Sequence, residues 1–287
     1  MEDRLAWLMK YFQLRARVFQ AGPQCHSVSY DAQFGLGHIH VLKKGKLQVE
    51  SMETTGQSTL ILEKPSVFFY MNPVTHSLYP LDNDVELVCA SFDFGAGLSS
   101  PLSQALPETV LLKLEKIPTL STTLSLMFSE SEENHCGRQV VLDRLMEVVI
   151  IQLLRDLMDQ QRLQVGLLAG LAEPKLSKAI SAIHSDPSYP WTLQNLADIA
   201  GMSRARFATK FRDIVGMTMG NYLTEWRIGV AQSFLVRGKS IQLVADAVGY
   251  ANASALSRAF TAQVGLSPTD WKNKHNTTNH PELLSLT

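Results

Sequence analysis

The sequence predicts an α+β protein: an N-terminal β-barrel with flanking helices, then an all-α domain with two helix-turn-helix motifs joined by a long helix. Three observations lead to this reading. One helical pattern is written twice near the C-terminus, short turn-punctuated apolar runs fill the first hundred residues, and charge is split between the two parts.

The repeat carries most of the weight. Its first copy runs Ala197-Asp198-Ile199-Ala200-Gly201-Met202-Ser203, then Phe207, Phe211, Val215 and Gly216. Its second runs Ala245-Asp246-Ala247-Val248-Gly249-Tyr250, then Leu256, Phe260, Val264 and Gly265. The offset is 48 residues up to the turn and 49 beyond it, so the second turn is one residue longer. A short helix, a glycine turn and a second helix make a helix-turn-helix, whose second helix suits the DNA major groove.

Overall charge is −1, which hides an asymmetry. Residues 175–275 hold twelve Lys/Arg and six Asp/Glu; residues 1–174 hold fourteen and twenty. A basic segment of net +6 joined to an acidic remainder of net −6 is the charge footprint of a DNA-binding domain attached to another module. Three cysteines do not make a secreted disulfide framework. The chain opens without a signal-type apolar core, and no run of roughly 18 apolar residues occurs. A cytoplasmic protein with no membrane partner is expected. The sequence shows no nucleophile triad, phosphate-binding glycine loop or paired carboxylates, so an enzyme is not expected.

In chain order, Leu5, Leu8, Met9 and Phe12 fit a short amphipathic helix. Strands follow at 38–42, 46–50, 60–62, 67–70 and 85–94, with turns at Lys43-Lys44-Gly45, Thr54-Thr55-Gly56-Gln57, Pro65-Ser66 and Asn72-Pro73. From Leu120 the period becomes helical. Val141, Leu142, Leu145, Val148, Val149, Gln152, Leu153 and Met158 form a stripe that either completes the barrel domain or pairs two copies as a homodimer. Gly166, Gly170 and Pro174 mark residues 166–174 as a linker. The boundaries are thus 1–165 for the sensor or dimerisation domain, 175–275 for the helical domain and 276–287 for a flexible tail.

Within 175–275, Thr192, Ser203 and Asn252 are natural N-caps. A long helix over about 221–236 bridges the two copies. Arg227 within it needs an internal partner, with Asp198 and Asp246 the expected carboxylates.

This helical region closely resembles the DNA-binding domain of AraC/XylS-family transcription regulators. The matching residues are Leu196-Ala197, Ala200-Gly201-Met202-Ser203, Phe207, Lys210-Phe211-Arg212, Gly216, Tyr222-Leu223, Arg227, Ala231, Gly249-Tyr250, Phe260, Gly265-Leu266-Ser267-Pro268 and Trp271. The resemblance implies promoter DNA and RNA polymerase as partners; activator is the role that goes with it, while activation and repression both stay open. It places Ala205, Ala208 and Thr209 at the bases in the first copy, and Ala253, Ser254 and Arg258 in the second. Helical geometry adds Arg212 and Thr261 to the outward faces. Arg258 is the best direct reader, able to fork onto guanine. Ser203, Arg204, Arg206, Lys210 and Asn252 suit phosphates, and Arg212 is also a candidate for backbone contact.

The first part resembles a cupin barrel through His38-x-His40, Gly45, Pro65, Pro73 and His76. Where metal-binding cupins carry a Glu, Lys43 or Lys44 stands. No cofactor is expected, although a three-His metal site at His38, His40 and His76 is open, as is contact of these imidazoles with an organic effector. The full-length resemblance includes regulators of the reactive-chlorine response, with Cys25 and Cys89 as a redox pair for an oxidant signal. The alternative is a cupin-type metal-binding enzyme or metal sensor fused to a DNA-binding module.

Overall fold

The computed structural model describes residues 3–278 apart from 33–35, 54–55, 72, 95–107 and 161–164. The turn expected at 54–55, the Asn72 position and the tail from 279 lie outside the described residues. The chain divides into two compact units.

The first unit holds β1 (Arg15–Pro23), β2 (Val28–Tyr30), β3 (Gly37–Lys44), β4 (Leu47–Glu53), β5 (Gly56–Leu62), β6 (Ser66–Tyr70), β7 (His76–Pro80), β8 (Glu86–Asp93) and β9 (Thr109–Lys113). It also holds α2 (Ser121–Glu132) and most of α3 (Arg138–Asp159). Every pairing is antiparallel. A five-stranded sheet, β1-β8-β3-β6-β9, accompanies a four-stranded one, β2-β7-β4-β5.

Side chains of alternating strand residues enclose a core that includes Leu42, Leu47, Phe68, Tyr70, Leu87 and Cys89. The alternate residues Ile39, Phe69 and Phe92 meet Ile150, Leu153 and Leu154 of α3. The large sheet is therefore covered on both faces, which explains why all five residues of β6 are buried. The helical stripe divides accordingly. Leu142, Val149 and Leu153 are buried in this unit, while Val140, Val141 and Val148 stay exposed.

β1, which the strand pattern missed, carries a bulge between Val18 and Gln20. Its loosened backbone is satisfied from α3: the Val18 amide donates to Asp143 Oδ1 at 2.7 Å, and the Val18 carbonyl accepts from Gln139 Nε2 at 2.6 Å.

The second unit holds α1 (Ala6–Tyr11), α4 (Leu167–Ala172), α5 (Leu176–Ser185), α6 (Leu193–Ile199), α7 (Arg204–Val215), α8 (Met219–Val236), α9 (Ile241–Ala247), α10 (Ala253–Val264) and α11 (Pro268–Thr278). Two boundaries differ from the sequence expectation. Residues 166–174 are no open linker: Leu167 to Leu171 are all buried in α4. Gly170 is a close-approach point rather than a breaker, since a Cβ there would lie 2.6 Å from Ile180 Cδ1. The α1 segment, grouped by sequence with residues 1–165, instead belongs to the helical unit. Six residues of helix cannot hold themselves in water. Phe12 packs on Trp226 at 5.3 Å, and Arg237 Nη2 donates to the Tyr11 carbonyl at 2.8 Å.

Among the described residues, no helix is long and apolar enough to cross a membrane.

Candidate nucleic-acid interface and barrel site

The two helix-turn-helix copies are built by the same local chemistry. Thr192 accepts from the Asn195 amide and Ser240 from Leu243, starting α6 and α9. Each of these helices then ends in a left-handed glycine. Gly201 has φ 62° and Gly249 φ 77°, a conformation that a side chain would strain. The following amides close both turns alike: Met202 donates to the Ala197 carbonyl and Tyr250 to the Ala245 carbonyl, each at 2.9 Å. Ser203 and Asn252 then cap α7 and α10 by accepting from the Arg206 and Ala255 amides. Their side-chain hydrogens stay available to a phosphate.

The inward residues Phe207, Phe211, Leu256 and Phe260 are fully buried. This fixes what faces out. Ala205, Thr209 and Arg212 of α7 are exposed, with Ala208 half-buried. Ser254, Arg258 and Thr261 of α10 are exposed, with Ala253 half-buried. Among the described residues, Arg204, Arg206, Arg212 and Arg258 have no ion pair within the chain.

Two basic residues behave differently from expectation. Lys210, read as a phosphate contact, is engaged: its ammonium lies 2.5 Å from Glu173 Oε1. Glu173 Oε2 also accepts from the Lys175 and Leu176 amides at the start of α5. Burial opposes the charge on Glu173, but the ammonium and the two amides outweigh it and hold the carboxyl below the usual range. Arg227 is internal as expected, but its partners are carbonyls rather than carboxylates. Nε donates to the Pro187 carbonyl at 2.7 Å and Nη2 to that of Tyr189 at 2.9 Å. Asp198 and Asp246 instead accept from Gln194 and Gln242, four residues earlier in their own helices.

In the barrel, strand register gathers the three histidines. His38 and His40 alternate along β3, and His76 begins β7 opposite Tyr30. The His40 and His76 rings lie 4.9 Å apart, and those of His38 and His76 5.2 Å apart. His76 Nδ1 donates to the Val74 carbonyl at 2.7 Å, leaving its Nε2 to accept from His40 Nε2 at 2.9 Å. His40 Nδ1 is then a buried acceptor without a partner. Burial and neighbouring imidazoles keep the cluster neutral. His38 is pushed down to about 4, by burial and His76. Burial takes His76 to about 4, against the pull of the Val74 carbonyl, and His40 falls well below its usual value.

Tyr30 closes the cluster, with ring contacts to His38, His40 and His76 at 5.5, 5.3 and 5.0 Å. Tyr70 and Phe68 add further walls against His76 and His40. Phe19, at the β1 bulge, touches both Tyr30 and His38.

The three imidazoles do not form a ready metal-ligand set. Among the described residues, no three His, Cys, Asp or Glu side chains converge on one point. Two of the imidazoles are spent on each other, and the Glu position is filled by Lys43 and Lys44, both paired with Glu86. The redox pair also meets a geometric obstacle. The Gln24 amide bonds to the Val85 carbonyl, while Cys89 lies four residues farther along β8. Cys25, one residue beyond Gln24, is therefore about 16 Å along the strand direction from Cys89, too far for a disulfide without rearrangement. Burial also pushes the Cys89 thiol up, so it is not a thiolate in this state.

A cupin family model matches residues 3–159, and a helix-turn-helix domain model matches residues 196–274. The chain belongs to the AraC-type transcription regulators with a cupin N-terminal domain. Among AraC-type relatives, it is 35% identical over 182 residues to the HTH-type transcriptional regulator AlkR of Acinetobacter baylyi, covering 62% of this chain and 60% of AlkR. It is 26% identical to an uncharacterized HTH-type transcriptional regulator of Haemophilus influenzae, across 94% of this chain and 98% of that one. To the RCS-specific HTH-type transcriptional activator RclR of Escherichia coli it is 27% identical, covering 82% and 84%. The match to AlkR thus spans less than two thirds of that relative's length.

For an AraC-type chain, sequence reasoning missed Glu173, Phe19, Tyr30 and Tyr70. Tyr30 had a usable signal, an aromatic residue in a short strand facing a His-containing one. Glu173 had none, because its partner lies 37 residues away.

Proposed function

We propose that the chain binds promoter DNA through α7 and α10 and regulates transcription in response to a signal received inside the barrel. One observation carries the DNA reading: two copies of the same motif, on one connecting helix, present unpaired arginines and small polar residues outward. The clustered cations supply a phosphate-driven, salt-dependent affinity. The full chain should bind a random duplex pool with steep loss of affinity as salt rises. Salt-independent association would count against this function.

The signal reading rests on the barrel cluster. Its neutral imidazoles, the buried and unpartnered His40 Nδ1 acceptor and the surrounding aromatic rings suit a small polar organic molecule, which would have to open the cluster to enter. Phe19 links that cluster to the β1 bulge, whose backbone is bonded to α3. The name of RclR makes an oxidant the other candidate. That route requires Cys89 to become exposed first. Promoter activity in cells carrying His40→Gln or Cys89→Ser separates the two. Loss of response in His40→Gln alone favours the organic ligand; loss in Cys89→Ser alone favours the oxidant. Intact responses in both would place the sensor elsewhere. RNA polymerase and a second copy of the chain are the remaining partners of this reading, with Val140, Val141 and Val148 of α3 open to the latter.

A further inference from the structure

The loop from α5 to α6, residues 186–191, is a closed turn. Asp186 Oδ1 accepts from the Ser188 amide, the Ser188 hydroxyl and the Tyr189 amide. Trp191 Nε1 donates to the Asp186 carbonyl at 2.8 Å. This loop delivers the chain to α6 and so to the first helix-turn-helix.

Arg227, in the middle of α8, grips the loop through the Pro187 and Tyr189 carbonyls. The other side of its guanidinium faces the second motif, 5.9 Å from the centre of the Tyr250 ring. Beside it is the turn residue Gly249. A Cβ there would lie 2.6 Å from the Ser188 carbonyl oxygen and 2.9 Å from Arg227 Nη2. The turn of the second motif therefore abuts the loop that enters the first, with one guanidinium between them.

The connecting helix α8 runs into the second motif through the turn at Gly238 to Ser240 and packs against α9, α10 and α11. Each motif is thus held on α8 separately. The contact of Ser188, Arg227 and Gly249 adds a direct tie between the two motifs. A DNA duplex turns by about 34–36° per base pair. A rigid pair of recognition helices accepts one spacing between its two target segments, whereas a hinged pair accepts several.

We propose that Arg227 is a positioning residue that sets the spacing between the two DNA segments, by clamping the second motif's turn against the loop entering the first. The proposal rests on the DNA-binding reading above. Arg227 itself touches no base in this scheme.

The test is selection of bound sequences from a random duplex pool by full-length wild type, Arg227→Ala, Arg227→Lys and Gly249→Ala. Wild type should enrich two sequence segments at a single spacing. Arg227→Ala should enrich the same two segments at several spacings, with about 10-fold weaker binding to the wild-type site. Arg227→Lys should fall between, because one ammonium cannot fork onto two carbonyls held by a planar guanidinium. Gly249→Ala should broaden spacing as Arg227→Ala does, since its methyl group displaces the turn from Ser188.

Broadened spacing with unchanged segments is not the signature of general destabilisation, which lowers all binding together. If Arg227→Ala does not fold, Arg227→Lys and Gly249→Ala decide the question. A single retained spacing in the folded variants would overturn the clamp. Enrichment of no sequence by wild type would overturn the DNA-binding reading, and the clamp with it.

Discussion

The first recognition helix, α7, follows a helix capped by Thr192 and is backed by α4, and its Lys210 is committed to Glu173. The second, α10, packs Phe260 against Trp271 of α11 and presents Arg258 without an ion pair among the described residues. Outward chemistry differs in the same sense. Toward the bases, α7 offers Ala205, Ala208 and Thr209, whereas α10 offers Ser254 and Arg258. Under the DNA-binding function proposed above, the duplicated architecture carries different outward chemistry, with the guanidinium of Arg258 in the second copy. In this account α7 positions the protein by phosphates and DNA shape, and α10 names bases.

The largest expected difference between the copies is in acid. His184 of α5 is fully buried, stacks on Trp226 at 3.6 Å and bonds to the Tyr222 hydroxyl. Burial takes it down to about 3. Below its unfolded value of about 6.5, the unfolded chain gains a proton that the folded chain refuses. Its contribution is intact above that value and is lost as pH falls toward the folded value. At pH 4.5 the loss is on the order of 2–3 kcal/mol. Tyr222 also packs on Phe211, so α7 sits on this group. Hydrogen exchange at pH 7 and 4.5, corrected for intrinsic rates, should show α7 losing more protection than α10. In His184→Phe that gap should close. Equal losses in both helices of the wild type would remove the acid asymmetry.

Next in size is base readout. Arg258→Ala should cost about 1–3 kcal/mol and relax preference at one base pair. Arg212→Ala should weaken binding to all sequences alike. Titrations of both variants against a selected site and its single-base-pair variants compare them. Arg212→Ala relaxing one position, with Arg258→Ala uniform, would reverse the assignment.

The smallest effect concerns Glu173. Glu173→Gln keeps an oxygen for the Lys175 and Leu176 amides but releases the full charge of Lys210. Affinity for random DNA should rise, and the slope of log affinity against log salt should steepen by about one. An unchanged slope would mean that Lys210 cannot reach the backbone.

Much of the helical unit was legible because its determinants are local. Thr192, Ser203 and Asn252 cap the helices that they seemed to start, and Gly201 and Gly249 make the turns. The outward faces followed from helical periodicity once Phe207, Phe211, Leu256 and Phe260 were assigned inward. What stayed hidden depends on distant partners. Arg227 needed a partner, but the sequence displays carboxylates and not carbonyls, so Asp198 and Asp246 looked better than Pro187 and Tyr189. Gly170 read as a breaker because close packing against Ile180 leaves no mark in the local pattern. In the barrel, His38, His40 and His76 lie beside one another, and only register shows that His40 and His76 bond to each other. β1 was missed because Arg15-Ala16-Arg17-Val18 is a short alternation interrupted by a bulge.

The division of labour between α7 and α10 is tested most directly by one scan. Each base pair of a selected site is substituted in turn, and binding of the full-length protein is measured at constant salt. The account predicts the largest penalties, about 1–3 kcal/mol each, in the segment read by α10. Smaller and more even penalties are predicted in the segment under α7. Equal penalties in both segments, or the larger ones under α7, would contradict it.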